Sequence, residues 1–352
     1  MMIKHGEGKV LLGLLVIISS AVIASCAAPT MRLTVLAPAE YSAASKLQEV
    51  AVLPFDGKEG KEFATELEGV LASINIGNKQ YFALVDRAKI DHLLSEMKLG
   101  QTGLIDSNKA AKVGKMVGAK GIYTGAVTET DATDSGYAEK RTRCVATVTK
   151  YDRKGKPYEE CSKYQEYSVR CTKRTATFAV TPKLIEVETS RVVYANNLTG
   201  SADSNSCSDS NSPLKTASEL ISTAKNQATA KLKKDIAPHY ESFSVQLMDS
   251  KAGITNDDAI NKFKQGIDFA KNNRFDRACE LWGEARILSP NSPSIIYNIG
   301  LCMEVTGELN QAQDLYTKSD KMLSKPDDRI TLALSRIKAA IEKKKKLTEQ
   351  MK

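Results

Sequence analysis

Residues 259–292 and 293–326 repeat one pattern with a period of 34, and that period constrains the fold of this 352-residue chain more tightly than any other feature. The first copy carries Gly266, Phe269, Phe275, Ala278, Trp282, Ala285 and Pro290; the second carries Tyr297, Ile299, Gly300, Gly307, Ala312, Tyr316 and Ser319. A period between about 20 and 50 residues marks stacked supersecondary units that share one core. Small residues at Gly266, Gly300, Ala278 and Ala312 let paired helices approach closely, while Trp282 and Tyr316 fill the space between neighbouring pairs. Two copies bury little by themselves. The apolar stripe Ile330, Leu334, Ile337, Ala340 and Ile341 therefore predicts a capping helix over 327–347, with a basic tail to 352. Cys279 and Cys302 fall inside these helices and read as buried thiols.

The repeated pattern resembles the tetratricopeptide repeat, which implies helix–turn–helix pairs over 259–326 and a shallow groove for a peptide or helix. A linker over 249–258 precedes it.

Upstream, VAVLPF from Val50 is an apolar run stopped by Pro54 and Asp56-Gly57, which suits a buried strand. Phe63, Leu67, Val70, Leu71 and Ile74 recur at helical spacing, and residues 82–85 read as a second strand. Asp86 stands at an N-cap before a helix over 87–97 whose face carries Ile90, Leu93, Leu94 and Met97. Gly100 and Gly103 break the chain, helix returns over 107–117, and 121–128 is a third strand. Residues 175–187 and 192–194 form a hairpin around Glu188-Thr189-Ser190. A helix over 214–236 and a short strand over 243–247 follow. The alternation predicts an α+β domain, an α/β sandwich built on one sheet over 47–248 with an inserted β-hairpin at 131–174, followed by the all-α repeat domain.

The segments VLPF (52–55), FALVDR (82–87), LLSEMKLGQTGL (93–104), AAKVGKMVGAKGIYTG (110–125) and LIEVETSRVVY (184–194) occur in an order similar to that of the CsgG family, the lipoproteins named for the curli secretion channel. The resemblance spans residues 47–130 and 175–248 and implies the periplasmic fold of that family. In the curli channel two hairpins from each subunit build a membrane barrel, and residues 132–174 occupy a comparable place. A lipid-facing strand needs apolar residues at alternate positions for about 9–11 residues. Lys163, Glu166, Arg170, Lys173 and Arg174 interrupt both faces, and 195–213 is rich in Ser, Asn and Asp. A soluble, disulfide-pinned hairpin is the better reading. Gly114 and Gly118, one turn apart, are read as sites of close packing. Related lipoproteins that activate penicillin-binding proteins imply that the fold can serve by contact alone.

The chain begins with Lys4 and Lys9, an apolar run over 10–23, and Ala24-Ser25-Cys26. A charged start, a short apolar stretch and small residues before a cut describe a secretory signal over 1–25. Cys26 resembles the lipid-modified cysteine of a lipobox, which implies a covalent lipid there and a tether over 26–46. With Ala27 next, that resemblance places the protein at the periplasmic face of an outer membrane. Cys144, Cys161, Cys171 and Cys207 are an even set in an exported chain and favour two disulfides over free thiols. Folding the hairpin about Lys154-Gly155-Lys156-Pro157 sets Cys144 opposite Cys171 and leaves Cys161 for Cys207. No Cys-x-x-Cys pair offers a zinc site, and no other metal site is read.

The net charge of +8 is spread out apart from Lys343-Lys344-Lys345-Lys346, and no aromatic residues interleave with that run as a nucleic-acid groove requires. Past the signal the histidines are His92 and His239, without an acid or nucleophile at a recognisable spacing. Asp86-Arg87 reads as a helix start rather than a catalytic pair. The sequence therefore predicts no catalytic residues, no enzyme and no cofactor beyond the lipid on Cys26. It predicts an envelope assembly or transport component acting by protein contacts, with a periplasmic protein or peptide partner and self-association as a further prospect. The alternative is a periplasmic adaptor or activator that recruits its partner through the repeats. Cys26→Ala is expected to abolish fatty-acid labelling and release the protein from the membrane fraction on cell fractionation.

Overall fold

The computed structural model describes residues 28–97 and 106–351; Cys26, Gly100 and Gly103 lie outside the described residues. The elements run β1 (Thr30–Ala37), α1 (Ser42–Ser45), β2 (Glu49–Asp56), α2 (Gly60–Ala72), β3 (Asn75–Ile76), β4 (Lys79–Gln80), β5 (Ala83–Leu84), α3 (Arg87–Glu96) and α4 (Ser107–Val117). There follow β6 (Gly121–Tyr151), β7 (Pro157–Glu186), β8 (Val192–Ala195), β9 (Leu198–Cys207), α5 (Ala217–Ile236) and β10 (His239–Gln246). Five helices complete the order: α6 (Asp257–Lys271), α7 (Phe275–Leu288), α8 (Pro293–Thr306), α9 (Leu309–Lys321) and α10 (Asp328–Gln350). The architecture is an α+β domain followed by a helical stretch. The range read as a tether contains β1 and α1, and β1 pairs with β10 in a two-stranded sheet.

Contacts divide the chain into two units. One comprises Leu33–Phe243, Met303–Asp314 and Leu332–Lys352; the other comprises Ser244–Cys302, Leu315–Thr331 and the described residues up to Arg32.

The first unit is built on a six-stranded sheet of order β5-β2-β6-β7-β8, with β9 also on β7. β2 runs parallel to both β5 and β6; the pairs of β7 with β6, β8 and β9 are antiparallel. A parallel strand covered on both faces needs a continuous apolar run, which Val50 to Leu53 supplies. Val50, Val52 and Phe55 join one core with Phe63, Leu67 and Leu71 of α2 and Ala224, Ala228 and Leu232 of α5. Ala51 and Leu53 join a second core with Ile90, Leu93 and Leu94 of α3 and Ala110 and Val113 of α4. The caps fall where the side chains dictate. Asp86 accepts from the Ala88 N–H at 2.9 Å, Asp106 accepts from the Lys109 N–H at 2.9 Å, and Thr216 with Glu219 closes a capping box on α5. Gly114 packs closely, since a Cβ there would lie 2.4 Å from Val187 Cγ2. Gly118 does not. It ends α4 with φ +77, a left-handed C-cap with open space around it.

In the helical unit the period of 34 becomes a repeated contact. A Cβ on Gly266 would lie 2.4 Å from Trp282 Nε1, and one on Gly300 would lie 2.6 Å from Tyr316 Cε1. Trp282 donates to the Phe263 carbonyl at 3.2 Å, so the indole is buried with its polar atom satisfied. Cys279 and Cys302 are not free thiols: they form a disulfide between α7 and α8, Cα atoms 5.8 Å apart. The repeat pattern placed each cysteine in a helix but not the two helix faces against each other. The helix expected as a cap is α10, which bonds the second repeat through Arg336 to Glu304 and through Lys344 to the Gly307 carbonyl. Its length from Leu332 onward groups with the sheet-based unit, where Gln350 bonds both backbone groups of Ala39 at 2.9 Å.

β9 lies so close to α5 that a Cβ on Gly200 would sit 1.9 Å from the Ala224 carbonyl oxygen, whereas one on Gly69 in α2 would meet nothing within 4 Å. Gly200→Ala is expected to cost about 1–3 kcal/mol as overpacking against rigid backbone. Gly69→Ala is expected to stabilise by roughly 0.5–1 kcal/mol. Urea unfolding with an unchanged slope checks both.

Candidate functional site: a disulfide-stapled β arm

The third and fourth strands expected from the sequence do not stop at the sheet. β6 and β7 continue as one hairpin, paired from Gly121 with Glu186 out to Tyr151 with Pro157. The inserted segment is therefore the outward half of two strands rather than a separate element. β9 supports β7 only from Val180 to Cys171, where Cys171 pairs with Cys207. Ser- and Asn-rich as it is, β9 is a regular strand. Beyond Tyr137 the hairpin is two-stranded for a length of about 50 Å at the usual strand rise.

An isolated two-stranded ribbon is marginal in water. Two disulfides hold this one. Cys171–Cys207 closes the end of β9, beside Val169 and partly buried Tyr167. Cys144–Cys161 spans the ribbon near its tip with Cα atoms 5.8 Å apart. These pairings replace the expected Cys144–Cys171 and Cys161–Cys207. Register is the reason. The hairpin turns at Asp152–Lys156, so Tyr137 rather than Cys144 lies opposite Cys171, and Cys161 lies opposite Thr147. Shifts between Cys144 and Thr147 bring Cys144 within bonding reach of Cys161.

The turn is built by Asp152, whose Oδ1 accepts from the Lys154 and Lys156 N–H groups at 2.8 Å each, with Gly155 at φ +73. Cross-strand pairs populate the ribbon. Arg143 donates twice to Gln165 Oε1 at 2.9 and 3.1 Å and lies 5.4 Å from the Tyr167 ring centre. Arg141 bridges Glu139 and Asp209 at 3.1 Å each. At the foot, Arg174 grips Asp134 with bonds of 2.7 and 2.8 Å. The guanidinium holds the Asp134 carboxyl below its usual range; the pair is intact at neutral pH and is lost as acid protonates Asp134 through that lowered value. Tyr151, Tyr158 and Tyr164 are exposed, at 70, 48 and 67%. The arm thus presents aromatic rings among charges of both signs, a composition suited to macromolecular contact.

Other side chains singled out by the sequence lie apart from the arm. His92 is exposed on α3 beside Glu96 at 3.7 Å, and His239 lies 3.5 Å from Glu241. Asp86 caps α3, and Arg87 binds Glu68 and the Val52 carbonyl, so both are structural. Lys343 pairs with Glu241, Lys344 donates to the Gly307 carbonyl and Lys345 pairs with Glu342. Burial pushes the phenols of Tyr123 and Tyr194 far up, Tyr194 aided by its bond to Asp235, so both stay neutral. A cleft between α2 and α5 is occupied by Lys225, which bonds Glu66 at 2.8 Å and lies 3.7 Å from Glu59. Ala278 and Ala312 are fully buried and Gly266 and Gly300 touch aromatic rings; Pro290 follows α7. Among the described residues no helix is long and apolar enough to cross a membrane. Among the described residues Glu139, Cys171 and Cys207 are the metal-type side chains that converge, but the two sulfurs are bonded to each other.

Residues 62–139, from α2 through the foot of the arm, match the family described as curli production assembly/transport component CsgG. That segment is similar to the family. No curated protein sequence matches it significantly. Among solved structures it is similar to the LpoB C-terminal domain from Salmonella enterica, at 14% identity over 46% of this chain and 94% of that one, with a TM-score of 0.25. Lipoprotein GNA1162 from Neisseria meningitidis matches at 13% identity over 51% and 96%, TM-score 0.26. A PelC dodecamer from Paraburkholderia phytofirmans matches at 17% over 56% and 99%, TM-score 0.17. The CsgG match ends at Glu139, the residue beside the inner disulfide, so the outer ribbon and its second staple lie beyond the matched segment.

Removing the outer staple with Cys144→Ser and Cys161→Ser opens a 17-residue loop in the unfolded chain. The expected loss is about 3 kcal/mol of local stability. It should read as faster amide hydrogen exchange across 140–165, with exchange in β2 and α5 unchanged.

Proposed function

We propose that this protein is a lipid-anchored, non-enzymatic component of the cell envelope, of the CsgG assembly and transport type, which works through protein contacts. The observation that carries the reading is the arm. The CsgG-like segment runs on into a ribbon held by two covalent bonds, which presents a fixed, exposed surface away from the core. The mixed charges and exposed tyrosines favour a protein partner over lipid. A lipid-facing strand would need an unbroken apolar face, and Lys150 paired with Glu160 and Arg143 bonded to Gln165 stand in its way. Cys26 supplies the anchor in this reading, at the periplasmic face of an outer membrane.

The helical unit favours a second reading, that of an adaptor or activator whose repeats recruit a partner. Its core is closed by Trp282, Tyr316 and a disulfide, which gives a stiff scaffold for a contact surface. The two readings separate on the oligomeric state of the lipidated protein extracted in detergent, by native mass and negative-stain imaging. A closed ring supports the assembly and transport reading, with the arms as its subunit contacts. A monomer or dimer overturns that and leaves the adaptor. Turnover of a substrate by the purified protein would overturn both.

A further inference from the structure

We propose that Cys144–Cys161 is a site of thiol–disulfide exchange, taking an external dithiol as its reductant, while Cys171–Cys207 is a guarded structural bond. The two bonds share one hairpin and differ in access and in charge. Cys171 and Cys207 are 3 and 8% exposed. Glu139 Oε2 lies 3.7 Å from Cys171 Sγ and 3.6 Å from Cys207 Sγ. Exchange needs an incoming thiolate and a departing one, and a carboxylate against both sulfurs disfavours each. Arg141 offsets this charge only in part, because its guanidinium is shared between Glu139 and Asp209.

The outer bond has the opposite surroundings. Cys144 is exposed and Cys161 half-buried, on a ribbon with no third strand over it. Arg143 adjoins Cys144 and bonds the neutral Gln165 amide, while the carboxylate that adjoins Cys161, Glu160, is paired with Lys150. The Lys163 side chain adds a second cation two residues from Cys161. Positive charge draws in a thiolate and stabilises the one that leaves.

The step balances as follows. A thiolate of the dithiol attacks Cys144 Sγ, the bond to Cys161 breaks, and its electron pair leaves on Cys161 Sγ, which takes up a proton. The reductant's second sulfur, as thiolate, then attacks the mixed disulfide and displaces Cys144, which is protonated in turn. Two cysteines are reduced by two electrons and the dithiol becomes a disulfide. The product is an arm whose foot stays stapled to β9 while the part beyond loses its cross-link.

The test is timed reduction of the folded full-length protein by dithiothreitol, quenched with acid, with released thiols alkylated and assigned by peptide mass. Cys144 and Cys161 are expected to label at least tenfold faster than Cys171 and Cys207, and ahead of Cys279 and Cys302. Equal rates, or earlier opening of either other bond, overturn the proposal. Glu139→Gln is expected to speed opening of Cys171–Cys207 several-fold and to leave the outer bond's rate unchanged. The outer bond thereby reports that the variant is folded, and an unchanged inner rate overturns the guarding role of Glu139.

Discussion

β2 is covered on both faces, and the helices of the sheet-based unit take their places from that. Alternate residues of one short run feed two separate cores, Val50 and Val52 to one side and Ala51 and Leu53 to the other. No single layer of helices can satisfy such a strand. α2 and α5 cover one face and α3 and α4 the other, and the parallel pairing of β2 with β6 fixes where β6 starts. The rigidity of that start matters because the same strand later leaves the protein body altogether.

Along β6 and β7 the means of support change in stages. Near Gly121 the two strands are flanked by further strands and buried by helices; from Thr130 to Tyr137 β9 is the remaining flanking strand. Past Cys171 there is neither; one disulfide stands at that point and the other lies farther out on the two-stranded ribbon. Covalent bonds appear where apolar burial runs out, as expected where little surface can be hidden from water. The ribbon's open edges carry Lys, Arg and Glu side chains, which discourages casual pairing with other strands.

What was legible in the sequence follows the same gradient. The strand at Val50, the N-cap at Asp86 and the helix stripe ending at Ile236 were readable because burial imposes a period on residue type. The small residues Gly266 and Gly300 and the aromatics Trp282 and Tyr316 were readable because they recur, but not that each aromatic packs on the glycine of its own repeat. The disulfide partners were not. Two exposed strands have no apolar alternation to set register, and the turn at Asp152–Lys156 puts Tyr137 rather than Cys144 opposite Cys171. The Ser- and Asn-rich β9 hid for a related reason: it is buried only at Leu198, Gly200 and Cys207. Cys279 with Cys302 and the allegiance of α10 depend on which helices face each other, and an amphipathic stripe records only that a face is buried.

Gln350 clasps Ala39 through both its amide oxygen and its amide nitrogen, and the same nitrogen reaches Ser42. Residues 311 positions apart are thereby held side by side. A pull on the chain just ahead of Ala39 does not peel that segment away alone. It loads β10 in shear through β1 and α10 through the clasp, so the two ends of the sheet-based unit resist such a pull together.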